Sequence, residues 1–257
     1  MRRQPSERSQ RDAQLVEQVS QVHERSCGYY GSPRVTGQLR RDGLAVGRRR
    51  VARLMRLAGL QGRSARLYRR SKVGQRASFA SVPRLQLSEP SGPNQLWVGD
   101  VTYLKVAGQW RYLATVMDRH SRRIVGWSLS HRRDAALTRA ALRQAARNRR
   151  PQPGLVFHSD RGVEYAAFEY RDELRRLGIL QSMNRPGKMN DNAHMESFFH
   201  SMKTEELYGK AFADDLQLRR ILSSYITFYN QQRLHSSLRY LPPAGFEQRQ
   251  GLQACVN

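Results

Sequence analysis

Three strand-like segments that follow one another in the middle of the chain limit the possible folds most. Apolar, aromatic and β-branched residues dominate residues 96–104, 110–117 and 124–129. Gly108 marks a turn between the first two segments. Because short connections join antiparallel neighbours, the pattern predicts a meander of three antiparallel strands.

The chain after this meander alternates between helical and strand-like patterns. The periodicity predicts helices at 134–147, 165–177, 193–207 and 216–229, with short strands at 155–157 and 179–183. Three antiparallel strands followed by alternating helix and strand is the order expected of a ribonuclease-H-like α/β fold. We therefore predict such a core over residues 94–210, completed by a C-terminal helix and tail at 211–257.

Residues 1–62 have the pattern of a small helical domain. Helices are predicted at 11–26, 34–40 and 48–58, and the last two form a helix-turn-helix with a glycine-containing turn. The second of these two helices is rich in arginine, which favours DNA contact through Arg48, Arg49, Arg50 and Arg53, although a solvated basic face has the same pattern. Residues 63–93 show neither helical nor strand periodicity and are predicted to form a basic linker.

The charge of the chain indicates a polyanionic partner. Lys and Arg number 45 against 21 Asp and Glu, and the formal net charge is +24. The excess is densest in residues 1–90, which carry 20 basic and 6 acidic side chains. These values favour nucleic acid. A membrane is not expected as partner, since no apolar run approaches the ~20 residues of a span and no signal peptide is evident, so we expect a cytoplasmic protein associated with the nucleoid.

Three carboxylates are candidates for a catalytic site, two of them in or at the end of predicted strands. Asp100 interrupts an apolar strand, Asp160 ends the next buried strand, and Glu196 lies in the first turn of a predicted helix, with 35 residues between the last two. Each alone has an ordinary structural interpretation: a bend, a turn and a helix N-terminal charge. Brought together, the carboxylates repel one another: two charges 4 Å apart cost about 4 kcal/mol at an effective dielectric of 20. A divalent cation between them turns this net repulsion into attraction. Oxygen ligands without histidine or thiolate favour Mg²⁺ or Mn²⁺, and two such ions suit phosphodiester chemistry.

Several blocks of the sequence resemble a known family. They are residues 97–103 (WVGDVTY), 158–165 (HSDRGVEY), 191–198 (DNAHMESF), 225–236 (YITFYNQQRLHS), 30–34 (YGSPR) and 50–55 (RVARLM). The first three resemble the three blocks of the D,D(35)E insertion-sequence transposases, and the fourth resembles that family's closing signature. Within the superfamily that includes retroviral integrases, the chain is most similar to the second reading-frame protein of the IS3 family, a likeness that also covers the last two blocks. The resemblance extends from about residue 28 to 246. One small departure is Gly99, where many relatives have a polar residue.

The resemblance implies a magnesium-dependent polynucleotidyl transferase that cleaves DNA at the ends of a mobile element and joins them to a target. The family's catalytic Asp, Asp and Glu carry over to Asp100, Asp160 and Glu196. The resemblance also implies that the chain acts as a homo-oligomer on double-stranded DNA, at the element ends and at the target. It further implies that the chain works with a shorter first reading-frame protein or as a fusion with it.

Other side chains around the triad have predicted roles. Lys203 follows Glu196 by seven residues on one helix face, where it would hold a substrate phosphate, although a solvated lysine fits as well. Arg185 and Lys188 precede the third carboxylate in a basic loop and are predicted DNA contacts. Asp118 is a rival carboxylate that reads better as part of a turn, and His158 is expected to pack. Arg233 and His235 would contact DNA or orient the core.

Two other functions fit part of the pattern. A ribonuclease-H-like nuclease would use the same metals without a joining step, but it needs no arginine-rich helix-turn-helix. A DNA-binding regulator with an inactive core would need no intact carboxylate triad. The sequence therefore favours a transposase.

Overall fold

The computed structural model describes residues 7–63, 89–184 and 193–254. They divide into two compact units: a helical unit from residues 1–68 and 232–242, and a sheet-containing unit from residues 69–231 and 243–257. The helical unit contains α1 (Glu7–Arg25), α2 (Ser32–Arg41) and α3 (Arg48–Leu57). These three helices match the sequence-based prediction, except that α1 begins earlier.

Apolar residues at helical spacing form the interior of the helical unit. Val19, Val35 and Val51 are fully buried, and each comes from a different helix. Gly43, at a φ of 88°, lies in the turn between α2 and α3, a backbone conformation that glycine adopts without strain. The arginine-rich helix α3 therefore contributes its apolar side to this core, and its exposed side includes Arg48, Arg49 and Arg56.

The second unit is built on a mixed five-stranded sheet. Its strands are β1 (Leu96–Val106), β2 (Gln109–Asp118), β3 (Ile124–Ser130), β4 (Val156–Ser159) and β5 (Leu180–Met183). The strand order is β3-β2-β1-β4-β5, with β1, β2 and β3 antiparallel and β4 and β5 parallel to β1. The predicted meander is confirmed, as is the α/β class.

The helices of this unit differ from the prediction in three places. They are α4 (Ala135–Arg149), α5 (Val163–Ala166), α6 (Phe168–Arg176), α7 (Ala193–Met202), α8 (Asp215–Gln231) and α9 (Pro243–Ala254). The single helix predicted at 165–177 is two helices, because Ala167 is extended with a ψ of 144°. Beyond Met202 the chain continues as a π-helical turn, Lys203–Leu207. Helix α9 has no counterpart among the helices predicted from sequence.

Aromatic side chains connect the sheet to the helices that follow β4. Trp97, Phe157, Tyr165 and Tyr170 are almost fully buried. Tyr165 and Tyr170 meet edge to face, with ring centroids 5.3 Å apart, an arrangement that aromatic quadrupoles favour. This cluster fixes α5 and α6 against the end of β4, where one of the predicted site carboxylates lies.

Asp118 is a structural carboxylate at the end of β2. It is fully buried and accepts hydrogen bonds from the backbone N–H groups of Asn94 (2.6 Å), His120 (3.1 Å) and Ser121 (3.0 Å). The Ser121 hydroxyl donates to it as well, at 3.2 Å. The interpretation of Asp118 as a turn residue is confirmed.

The C-terminal part of the chain is shared between the two units. The sequence-based division assigns residues 211–257 to the core, and α8 and α9 do lie in the sheet-containing unit. Glu247 of α9 accepts hydrogen bonds from Arg149 of α4 and from Arg123, which ties α9 to this unit. Residues 232–242 belong instead to the helical unit. No helix within the described ranges is long and apolar enough to cross a membrane.

Candidate active site

The register between two parallel strands brings Asp100 and Asp160 together. Gly99 of β1 pairs with Ser159 of β4, so the next residue of each chain segment is an aspartate. Neighbouring strands lie about 4.8 Å apart, and this spacing places the two backbones side by side. Both aspartates are half-buried. Two carboxylates predicted from separate motifs therefore lie at the same edge of the sheet.

Gly99 has a steric reason to be glycine. A Cβ atom built there would lie 2.4 Å from Cζ of Phe157 and 3.3 Å from the hydroxyl of Tyr165. Successive side chains of a strand point to opposite faces, so the aromatic cluster occupies the face opposite Asp100. Glycine at position 99, which departs from the family pattern, therefore leaves room for Phe157 and does not disturb Asp100.

The carboxyl group of Asp100 has a strongly raised pKa. Burial, followed by the charge of Asp160, raises the pKa of Asp100 to about 8. The N–H of Val101, 2.7 Å from Oδ1, and the positive charge of Arg133 act in the opposite direction, and Glu196 adds a smaller increase. All three predicted carboxylates therefore interact electrostatically at Asp100.

Asp160 lies in a similar environment. Burial, followed by the charge of Glu164, raises the pKa of Asp160. The N–H of Gly162, 3.0 Å from Oδ1, and the charge of Arg133 lower it. Negative charge at this edge of the sheet is thus costly in the absence of additional cations.

Glu196 approaches from α7, as its place in the first helical turn predicts. It is half-buried and close enough to influence Asp100. Within the described ranges, however, no group of three or more His, Cys, Asp or Glu side chains is placed closely enough to hold a metal ion. The structure therefore pairs the two aspartates and leaves Glu196 within electrostatic range of Asp100 without completing a three-ligand cluster.

Lys203 lies near Asp100. It is the first residue of the π-helical turn after α7, and its ammonium is 4.8 Å from the centroid of the Tyr103 ring on β1. Burial lowers the pKa of Lys203 to about 8, while Asp100 acts in the opposite direction. The turn thus presents an ammonium group close to Asp100.

Two residues near the carboxylates, Arg133 and Glu164, were not predicted individually from the sequence. Arg133 follows β3, and its Nε donates to Glu164 at 2.8 Å. The Glu164 side chain is fully buried, and its Oε2 has no hydrogen-bond partner among the described residues. Only the position of Glu164 inside the HSDRGVEY block hinted at the site. No sequence pattern pointed to Arg133, because its proximity to the carboxylates depends on how the chain turns after β3.

More positive charge surrounds the start of α7. Burial, followed by the charges of Arg119 and Arg122, lowers the pKa of His194 to about 4. His194 precedes Glu196 by two residues, so these arginines lie near the helix that carries the third carboxylate. Arg119 and Arg122 therefore add positive charge near the first turn of α7.

The arginines of α3 fall into two groups. Arg48 and Arg49 are exposed, whereas Arg50 and Arg53 form ion pairs with Asp12 of α1, at 2.8 and 2.5 Å. The second pair of arginines therefore helps to join α1 to α3. Two other predicted DNA contacts, Arg185 and Lys188, lie outside the described residues, as do residues 64–88 of the predicted linker.

The remaining sequence-based expectations concern buried side chains. His158 is buried and lies within hydrogen-bond distance of the Ser182 hydroxyl (3.0 Å) and the Asn184 side-chain oxygen (2.6 Å), so its packing role is confirmed. Arg233 and His235 are buried too, in the segment that belongs to the helical unit.

The chemistry of the donor set fits a divalent metal ion. The carboxylates offer only oxygen, which hard cations such as Mg²⁺ and Mn²⁺ prefer. Burial and then nearby negative charge raise the pKa values of Asp100 and Asp160, so ionisation of both groups is disfavoured without added positive charge. A divalent cation supplies that charge.

Comparison with protein families identifies both parts of the chain. Residues 90–189 match the family described as integrase core domain, and residues 177–243 match a second family of the same description. Residues 9–68 match the HTH-like domain family. The second integrase match extends through residues 232–242, which the structure groups with the helical unit.

Curated relatives match nearly the whole chain. The transposase for insertion sequence element IS904 of Lactococcus lactis subsp. lactis (strain IL1403) is 36% identical over 250 residues, which cover 96% of this chain and 98% of that protein. Transposase InsF for insertion sequence IS3A of Escherichia coli (strain K12) is 38% identical over 229 residues, 88% of this chain and 79% of that protein.

A solved structure supports the fold. The intasome of simian T-cell lymphotropic virus, in complex with PP2A regulatory subunit B56 gamma, contains a chain that aligns with a TM-score of 0.51 and 18% identity. The alignment covers 84% of this chain and 70% of that chain. The family matches and the structural alignment therefore both support an integrase-like fold.

Proposed function

This chain belongs to the IS3 family of DNA transposases, and from that premise we propose that Asp100, Asp160 and Glu196 are its catalytic, metal-holding carboxylates. The register of β1 and β4 is the observation that supports this proposal most strongly, because it places Asp100 beside Asp160. The influence of Glu196 on Asp100 connects the third carboxylate to the pair. A bound divalent cation would be held by these three carboxylates and would draw Glu196 closer to the two aspartates.

The reaction consists of two steps at phosphorus, a hydrolysis followed by a transesterification. In the first, water attacks a phosphodiester at an element end, the bond to the 3′ oxygen breaks, and a free 3′-hydroxyl is left. In the second, this hydroxyl attacks a phosphodiester of the target strand and displaces its 3′ oxygen. No covalent bond to the protein is formed. When bound, two Mg²⁺ ions activate the attacking hydroxyl and stabilise the leaving oxygen.

The surrounding cations of the chain position the phosphate. The Lys203 ammonium, close to Asp100, holds a non-bridging oxygen of the scissile phosphate. Arg133 reduces the repulsion between the aspartates, since it lowers the pKa of both, and its hydrogen bond to Glu164 fixes its position. Lys203 thus contacts substrate, whereas Arg133 acts through the carboxylates.

The proposed substrate is double-stranded DNA, both at the element ends and at the target. The match of residues 9–68 to the HTH-like domain family and the basic charge of that segment support end recognition by the helical unit. Two DNA ends have to be joined to one target, so the proposal includes a homo-oligomer on DNA and, as a further partner, the first reading-frame protein of the element.

Incubation of the purified chain with labelled element-end duplex and Mg²⁺ tests this function. Two products are expected: a shortened strand with a free 3′-hydroxyl, and a longer strand in which that end is joined to target DNA. A shortened strand without any joined product would indicate a nuclease. Binding without either product would indicate a regulator, and both outcomes would contradict the proposal.

A further inference from the structure

The C-terminal segment Gln232–Pro242 is attached to the helical unit by specific hydrogen bonds. The Tyr30 hydroxyl donates to the carbonyl of Gln232 at 3.0 Å and accepts from the N–H of Leu234 at 2.8 Å. Nε of Arg34, in α2, donates to the carbonyl of Leu234 at 3.1 Å. Because Leu234 is fully buried, this segment forms part of the interior of the unit.

A tyrosine and a glycine fix the far end of this segment against α2. A Cβ atom at Gly37 would lie only 2.6 Å from Cδ1 of Tyr240, so only glycine lets the tyrosine ring come this close. The N–H of Tyr240 donates to the carbonyl of His235 at 2.8 Å, and the N–H of Arg239 donates to that of Ser236 at 3.2 Å. The position of Arg239 is therefore determined by its neighbours, and its side chain is exposed.

Four arginines from three parts of the sequence line one cavity beside this contact. The cavity has a volume of about 330 Å³, and its lining includes Arg40 and Arg41 of α2, Arg48 at the start of α3, and Arg239. Nε of Arg40 donates to the carbonyl of Val46. Within the described part of the chain, no carboxylate forms an ion pair with these four arginines, in contrast to Arg50 and Arg53, which pair with Asp12.

A cluster of guanidinium groups without carboxylates is suited to phosphate. Each guanidinium offers several N–H donors in a planar fork that matches phosphate oxygens, and like charges held together repel until an anion binds. The polyanion on which the proposed function acts is duplex DNA, and the same unit carries the helix-turn-helix.

We propose that this cavity binds a backbone phosphate of duplex DNA, so that the C-terminal segment contributes Arg239 to the DNA-binding surface of the helical unit. The inference rests on the proposed DNA-end binding and adds a specific site to it. It also explains why residues far apart in the sequence, in α2 and after α8, have to fold together. A truncated helix-turn-helix would lack this contact.

Equilibrium binding of the full chain to labelled element-end duplex, in EDTA so that no cleavage occurs, tests the proposal. Arg239→Gln is expected to weaken binding about 10-fold, the order expected for one lost charge-assisted hydrogen bond. It should also reduce the log–log salt slope by about 0.9, the value for one phosphate contact. Arg239→Lys should keep the slope, and Arg41→Gln should resemble Arg239→Gln.

The matched control is Arg25→Gln, which removes an exposed arginine of the same unit that does not line this cavity. Its binding is expected to stay within about twofold of the unmodified chain, since only long-range charge is lost. If Arg239→Gln and Arg41→Gln bind like Arg25→Gln, and the unmodified chain binds DNA in EDTA and cleaves it in a separate assay with Mg²⁺, the cavity is not a phosphate site, although the proposed function stands. Failure of the unmodified chain to bind duplex DNA would overturn both.

Discussion

Glu196→Gln is expected to lower the rate of Mg²⁺-dependent cleavage of element-end DNA by roughly 10³-fold, while duplex binding changes by no more than a few-fold. The amide keeps the shape of the side chain but removes the charge that attracts the cation. Loss of about 4 kcal/mol of transition-state stabilisation corresponds to a factor of this size. Single-turnover cleavage and equilibrium binding on the same duplex measure the two effects separately.

The control for this variant is Glu169→Gln, which makes the same chemical change at an exposed position of α6. Cleavage by this control should equal that of the unmodified chain. If Glu196→Gln kept full activity, Glu196 would not be the third ligand. If both variants lost activity, the effect could not be assigned to the site.

Asp118→Ala is expected to have the largest effect on folding, lowering the free energy of unfolding by about 3–5 kcal/mol. The substitution leaves three backbone N–H groups and the Ser121 hydroxyl without their acceptor in a buried turn. Chemical denaturation measures the loss.

Asp118→Asn separates the role of the charge from that of the oxygen acceptor. It keeps one carbonyl oxygen for the N–H groups of His120 and Ser121, so we expect it to be less destabilising than Asp118→Ala. Its folded fraction should cleave DNA normally, because Asp118 serves the turn. A change in unfolding free energy below about 1 kcal/mol for Asp118→Ala would contradict this structural role.

The strands and the carboxylates were predictable from sequence because each has a local signal. Runs of apolar, aromatic and β-branched residues predict β1, β2 and β3, and the motifs around Asp100, Asp160 and Glu196 single out the proposed site residues one by one. The register that pairs Gly99 with Ser159 is a property of the folded sheet. The adjacency of the two aspartates therefore needed the structure.

Features that depend on distant partners were not predictable. The interruption at Ala167 arises where α5 and α6 meet the aromatic cluster, and local periodicity across 165–177 gives no sign of it. Arg133 joins the site only because its turn lies beside buried Glu164. The pairing of Arg50 and Arg53 with Asp12 likewise depends on how α1 packs on α3.

The division of the C-terminal region follows the same principle. Sequence periodicity predicts α8 but says nothing about which unit the following residues join. The fit of Tyr240 against Gly37 and the hydrogen bonds of Tyr30 place residues 232–242 in the helical unit. Such long-range complementarity of shape has no counterpart in a local pattern.

Anomalous diffraction from crystals of the full chain grown with element-end DNA and Mn²⁺ tests the central claim most directly. The account predicts manganese peaks within about 2.0–2.5 Å of carboxylate oxygens of Asp100 and Asp160, with Glu196 moved in to complete the ligand set. Manganese bound elsewhere, or a DNA complex in which Glu196 stays apart from the aspartates and no peak lies between them, would contradict it.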